Sequence, residues 1–314
     1  MDRRTFSRAA LALVARRGVA GFGRVGPRRT PVPVVPRRFV SLPQGRIAYL
    51  DRGQGPGALL LHGFPLGASQ WRDVMPRLSG SRRCIAPDFL GLGYSEPRPG
   101  QDLAPRSQAM AVAALLDRLG VGPVDVIAND SGVAVAQLLL RDHPGRVRTL
   151  LLTNGDTEPD CPPPALQPVI ELARQGRYAA EWLAPWVVDK DLARSATGLG
   201  GLTFTRPAEL TDAILDDYLG PLVSRPDLTN EFAVALESNA LEGMSAVPAA
   251  SRVPIRLIWG TADPIFSAAT PDYYARTAGA WRGVRRIEGA KLFFPEEFPE
   301  IIAEEASSLQ AAGG

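Results

Sequence analysis

From residue 37 onward the apolar positions fall into short runs parted by glycine, proline and aspartate, at residues 39–42, 47–50, 58–61, 84–86, 124–128 and 149–153. Several of these runs show no polar alternation, which predicts strands buried on both faces, as in a parallel sheet. Between them, residues 68–78 and 107–119 carry helical spacing, and Gly120 and Gly122 stop the second stretch. The alternation of strand and helix predicts an α/β fold with a doubly wound, mostly parallel, eight-stranded sheet. After Asp156 the texture changes. Pro159 and Pro162 to Pro164 open a polar, helical stretch with Trp182, Trp186, Phe204, Tyr218 and Phe232, and strand texture returns only at 255–259 and 284–287. The expected organisation is a tail and linker over 1–36, a first core part over 37–156, a helical cap over 157–247 and a second core part over 248–314. No internal repeat is visible.

Composition narrows the partners. The 314 residues are 45% apolar, and 35 basic against 33 acidic side chains leave a formal charge of +2. That balance argues against a nucleic-acid or membrane-surface partner and leaves a small molecule as the expected one. Two cysteines, Cys84 and Cys161, and two histidines, His62 and His143, cannot build a cysteine-and-histidine zinc site or a disulfide framework. Neither a metal nor a cofactor is expected. No apolar run is long enough to span a bilayer. Residues 1–30 hold eight arginines and one acid, Asp2. Arg3-Arg4-Thr5-Phe6-Ser7-Arg8 ahead of a short apolar stretch resembles a twin-arginine export signal. A disordered basic tail on a soluble cytoplasmic protein and an exported protein are both consistent with it.

Three segments carry a family resemblance: Leu59 to Pro65 with His62-Gly63-Phe64-Pro65, Pro87 to Ser95 with Gly91-Leu92-Gly93, and Asp125 to Gly132. Together they resemble the α/β-hydrolase superfamily, in which the third strand ends at a His-Gly loop and the fifth turns sharply into a helix at a nucleophile elbow. The elbow pattern is small-x-nucleophile-x-small, filled here by Ala128, Asn129, Asp130, Ser131 and Gly132, so the nucleophile position holds Asp130. Ser131 stands one residue late. An aspartate there is similar to the branch of haloalkane dehalogenases and epoxide hydrolases, in which a carboxylate attacks carbon and water later hydrolyses the ester. Dehalogenases have a tryptophan after that aspartate and often an asparagine after His-Gly, and together these hold the halide. Ser131 and Phe64 stand in those places, so the epoxide hydrolases fit better.

The resemblance also implies an acid at Asp263, in Gly260-Thr261-Ala262-Asp263-Pro264, and an oxyanion hole from the Phe64 and Ser131 amides. It implies a histidine where Gly289-Ala290-Lys291-Leu292-Phe293-Phe294 has Leu292. That histidine is missing from the sequence. His143 lies about twelve residues down the helix from the elbow, roughly 18 Å away. His62 is expected to shape its turn, and Lys291 is either a surface lysine or a partner of Asp263 or Asp130. Gly91-Leu92-Gly93 lacks the third glycine of a nucleotide-binding turn. The expected substrate-binding residues are Trp182, Trp186, Tyr178, Tyr218 and Leu292, with the two tyrosines as candidate donors to an epoxide oxygen or as packed aromatics.

The resulting expectation is a cofactor-independent hydrolase of epoxide-hydrolase type with a degenerate triad, acting on a small apolar or aromatic substrate. Two alternatives stay open. One is a lyase, isomerase or cyclase in which Asp130 moves a proton, and the other is a pseudo-hydrolase that only binds a ligand.

Overall fold

A computed structural model describes residues 36–313; the basic tail and its export-like motif lie outside the described residues. The described residues form one sheet whose main path runs through eight strands: β1 (Arg37–Leu42), β2 (Gly45–Arg52), β3 (Gly57–Leu61), β4 (Arg83–Pro87), β5 (Val124–Asp130), β6 (Val147–Gly155), β7 (Ile255–Gly260) and β8 (Trp281–Ile287). Their order is β1-β2-β4-β3-β5-β6-β7-β8. β2 runs antiparallel to both β1 and β4, and every later pairing is parallel. The two-residue strand Glu96–Pro97 pairs with β2 as well, a ninth member too short for any pattern to announce.

The unbroken apolar runs follow from burial on both faces. Within β3, Leu59 and Leu61 point into one hydrophobic cluster while Ala58 and Leu60 point into the other. The first cluster is completed by helices α1 (Pro105–Arg118) and α2 (Ser131–Asp142), the second by Trp71, Met75 and the terminal helix at Pro299–Gly313. The helix expected over 68–78 is broken into a turn at Ala68–Trp71 and another at Met75–Leu78. Pro76 explains the break, because a proline fits the first turn of a new helix but not the interior of a continuous one.

Between β6 and β7 the chain is helical. It includes α3 (Gln167–Arg174), a π-helical turn at Tyr178–Leu183, α4 (Asp212–Val223) and α5 (Pro226–Ala235). Buried polar contacts fasten this excursion to the sheet core. The Tyr218 hydroxyl donates to Glu296 Oε2 at 2.5 Å and accepts from Arg72 Nη1 at 2.8 Å, and Arg72 pairs with Glu296. Glu297 accepts from the Thr205 and Arg206 amides at 2.9 and 2.5 Å. The expectation that Tyr218 binds substrate is therefore corrected: its hydroxyl is consumed in this junction, and its side chain does not line the cavity described below. Among the described residues no helix is long and apolar enough to cross a membrane.

Candidate active site

At the carboxyl end of β5 the backbone turns at once into α2. Asp130 sits at the corner with φ 55° and ψ −131°, the one described non-glycine residue with positive φ. Such a conformation costs on the order of 1–3 kcal/mol and persists only where the surroundings enforce it. The crowding is visible in the glycines beside it. A Cβ on Gly132 would lie 2.6 Å from the carbonyl oxygens of Leu61 and His62, and one on Gly63 would lie 2.3 Å from Asp130 Cβ. Only glycine lets the β3 loop pass that close to the elbow.

This closeness sets the site's main interaction. Asp130 Oδ1 accepts from the Phe64 amide at 2.8 Å and from the Ser131 amide at 2.6 Å. Among the described residues no backbone amide donates to Oδ2. Burial pushes the carboxyl up to about 6, with the two amides opposing that rise. Near neutral pH it is mostly ionised.

Asp130 opens on a cavity of about 130 Å³, lined chiefly by apolar side chains, among them Phe64, Trp182, Trp186, Leu236, Leu292 and Phe293. An engineered protein cavity of about 150 Å³ accepts benzene, which sets the scale of a ligand here. The π-helical turn brings Tyr178 and Trp182 to the wall with ring centroids 6.2 Å apart, and Trp186 meets Trp182 edge-on at 6.3 Å. Extra residues in a helical turn re-aim side chains, which is how such turns serve sites. Phe64 stacks on Phe232 at 5.5 Å. Burial and then the charge of Asp130 push the Tyr178 hydroxyl well above the usual phenol range, so the phenol stays protonated in a residue that lines the cavity.

Asp263 Oδ2 accepts from Asn154 Nδ2 at 2.7 Å and Oδ1 from the Ile265 amide at 2.8 Å. Asp263 keeps some exposed surface, yet its carboxyl has lost most of its water, and that desolvation raises it to about 7. The loop holding Leu292 runs beside it, since the Ala262 amide donates to the Ala290 carbonyl at 2.9 Å. Leu292 is 2% exposed and packs in the core. His62 accepts from the Phe89 amide at Nε2, 3.0 Å, so the proton is on Nδ1, which donates to the Gly63 carbonyl at 2.9 Å. Both nitrogens serve the turn, and burial lowers its pKa. Lys291 donates to the Gly201 carbonyl and reaches neither Asp130 nor Asp263. His143 caps the far end of α2.

Two features escaped the sequence reading. A relay of carboxamides ties the loops together: the Gly63 amide donates to Gln70 Oε1 at 3.1 Å, Gln70 Nε2 to Asn129 Oδ1 at 2.5 Å, and Asn129 Nδ2 to the Leu292 carbonyl at 3.1 Å and Thr153 Oγ1 at 2.7 Å. No spacing rule signals such a relay. The second is Asp156, which lines the cavity and whose carboxyl is raised well above the usual range by burial, then by Asp130 and Asp160. A signal existed for it, because ligands in parallel α/β sheets bind at the carboxyl ends of the strands, and Asp156 follows the last residue of β6.

Comparison with known proteins places the chain in a family. The haloalkane dehalogenase 2 of Mycobacterium tuberculosis strain H37Rv is 33% identical over 117 residues, covering 37% of this chain and 41% of that protein. The soluble epoxide hydrolase of Corynebacterium sp. strain C12 is 37% identical over 107 residues, or 34% of this chain and 37% of that one. The matched stretches thus span about 40% of the relatives' length. Among solved structures, the ligand-free epoxide hydrolase CorEH superposes with a TM-score of 0.71 at 22% identity, covering 88% of this chain and 99% of its own. Haloalkane dehalogenase DbeA from Bradyrhizobium elkani USDA94 gives a TM-score of 0.69 at 24% identity over 88% and 99% of the two chains. These structural likenesses bear on the fold alone. The family model of the alpha/beta hydrolase fold matches residues 59–298, and with the strand order and the elbow in place the chain belongs to the α/β-hydrolase family.

Proposed function

We propose that this chain opens a small, apolar epoxide by attack of Asp130 and then hydrolyses the resulting ester. One observation carries the reading: Oδ1 of Asp130 already occupies the pair of amides from Phe64 and Ser131. That placement leaves Oδ2 as the attacking oxygen. In the second half, water adds to Cγ, and the charge then develops on Oδ1, where the two amides stabilise it without reorganisation. A serine elbow needs those amides for a substrate oxygen, whereas an aspartate elbow needs them for its own.

Tyr178 hydrogen-bonds the epoxide oxygen as the carbon–oxygen bond breaks, and its raised pKa keeps it a donor throughout. Cavity size supports a substrate of about the bulk of benzene. The dehalogenase alternative is disfavoured by Ser131 and by Phe64, whose ring stacks on Phe232 and offers no hydrogen to a halide. A second reading, proton transfer without a covalent intermediate, draws support from the desolvated Asp130 carboxyl near 6.

Intact-mass spectrometry after mixing with cyclohexene oxide separates them. The expected result is a protein adduct of one epoxide mass in the unmodified protein and none in Asp130→Asn. Absence of the adduct in the unmodified protein at every quench time, together with product formation, supports proton transfer instead. Binding without either adduct or product indicates a pseudo-hydrolase.

A further inference from the structure

Asp156 is a buried acid that the chemistry above leaves unused. The sheet register sets Gly155 opposite Asp130 on strands spaced about 4.8 Å apart, as paired strands are, so Asp130 and Asp156, the residue after Gly155, line one cavity. The Asp156 carbonyl accepts from Gln137 Nε2 at 3.0 Å, which fixes the residue on α2. Its carboxyl meets the Cys161 thiol. The other groups acting on it are Asp130, Asp160 and, from the helix at Thr270–Thr277, Tyr274; no lysine, arginine or histidine is among them.

Two carboxylates lining one chiefly apolar cavity repel, so one of the two holds a proton. Asp130 has two backbone amides to stabilise an anion, whereas Asp156 has a thiol. The proton therefore resides on Asp156. Asp263 is worse placed for proton transfer to substrate, because Asn154 and the Ile265 amide take up its oxygens and it does not line the cavity.

We propose that Asp156 is a catalytic acid and base that takes over the work of the absent histidine, an inference that rests on the epoxide-opening reading. In the first half, Asp130 Oδ2 forms a bond to a ring carbon, the ring carbon–oxygen bond breaks, and the Asp156 proton passes to the freed oxygen. The products are a hydroxy ester and an Asp156 carboxylate. In the second half that carboxylate takes a proton from water as the hydroxide adds to Cγ of Asp130. Collapse of the tetrahedral intermediate expels the diol's alkoxide, which takes the proton of the newly formed Asp130 carboxylic acid. One epoxide and one water become one diol. Asp130 ends as carboxylate and Asp156 as acid, as they began.

The test is a quenched-flow intact-mass time course with cyclohexene oxide on the unmodified protein and Asp156→Asn, across about pH 5 to 9. In the unmodified protein, adduct formation should follow a bell, with an acid limb near 6 from Asp130 and an alkaline limb from Asp156, whose carboxyl is held by burial well above the usual carboxylate range. In Asp156→Asn the alkaline limb should vanish and adduct clearance should slow by about 10²-fold or more, the contribution of a positioned general base. Equal clearance in both proteins overturns the assignment and leaves the Asp130 ester standing. No adduct in either protein overturns the epoxide-opening reading itself. If the variant does not fold, the unmodified protein decides alone, since an adduct profile without the alkaline limb overturns the assignment.

Discussion

Replacing Asp130 with asparagine should stabilise the protein while abolishing its chemistry. The carboxyl is buried, 7% exposed, and held near 6, whereas an unfolded aspartate titrates near 4. Above pH 6 it is ionised in both states, and the folded chain bears a desolvation cost that the amides of Phe64 and Ser131 only partly offset. A gap of about two pH units at about 1.4 kcal/mol each sets this cost at about 3 kcal/mol. As pH falls through 6, the folded chain takes up a proton that the unfolded chain accepts only near 4, so the penalty shrinks and is gone below about pH 4. Asparagine keeps the oxygen that accepts from the two amides, removes the charge, and is among the residues that best tolerate positive φ. Urea denaturation of both proteins should therefore show Asp130→Asn more stable by about 3 kcal/mol at about pH 7.5, with the difference near zero at about pH 4. An asparagine variant of equal or lower stability at the higher pH, or a difference that does not change with pH, would refute the argument that the elbow carboxylate is desolvated and uncompensated.

Other consequences can be checked with the same preparations. Tyr218→Phe removes a hydroxyl shared by Glu296 and Arg72, so it should cost about 1–3 kcal/mol in denaturation yet leave cyclohexene oxide alkylation rates unchanged. Asn129→Ala breaks the relay between Gln70 and the Leu292 carbonyl, and should lower stability by about 1–3 kcal/mol and slow alkylation by loosening the Phe64 loop, read in the same two assays. Leu292→His should shorten the adduct's lifetime where the imidazole reaches Asp263, at a stability cost of about 1–3 kcal/mol for a polar ring in a core position. An unchanged lifetime with a folded variant means that the loop has repacked around the leucine.

The sheet was legible because buried parallel strands are apolar on both faces, and the stretches 58–61 in β3, 126–128 in β5 and 150–152 in β6 obey that. The elbow was legible because close approach of strand and helix demands small residues, and Gly63 and Gly132 meet that demand. Where reasoning along the chain fell short, the deciding partners lay far away in sequence. Tyr218 reads like any cap aromatic until Glu296, 78 residues on, is seen to hold its hydroxyl. Asp156 marked only the end of the first core part, and the pairing of Gly155 with Asp130 together with the cavity lining places it beside the elbow. The split of the helix at Pro76 was readable from local rules, and the apolar spacing around Trp71 and Leu78 masked it.

The proposed reaction requires that Asp130 form a covalent ester that water cleaves at Cγ. A single turnover in ¹⁸O-water, with protein in excess over cyclohexene oxide, tests it most directly when the peptide containing Asp130 is then weighed. The heavy oxygen should enter the Asp130 carboxyl while the first diol released carries none. Label in the diol and none in Asp130 would contradict it, because water would then have attacked the epoxide itself.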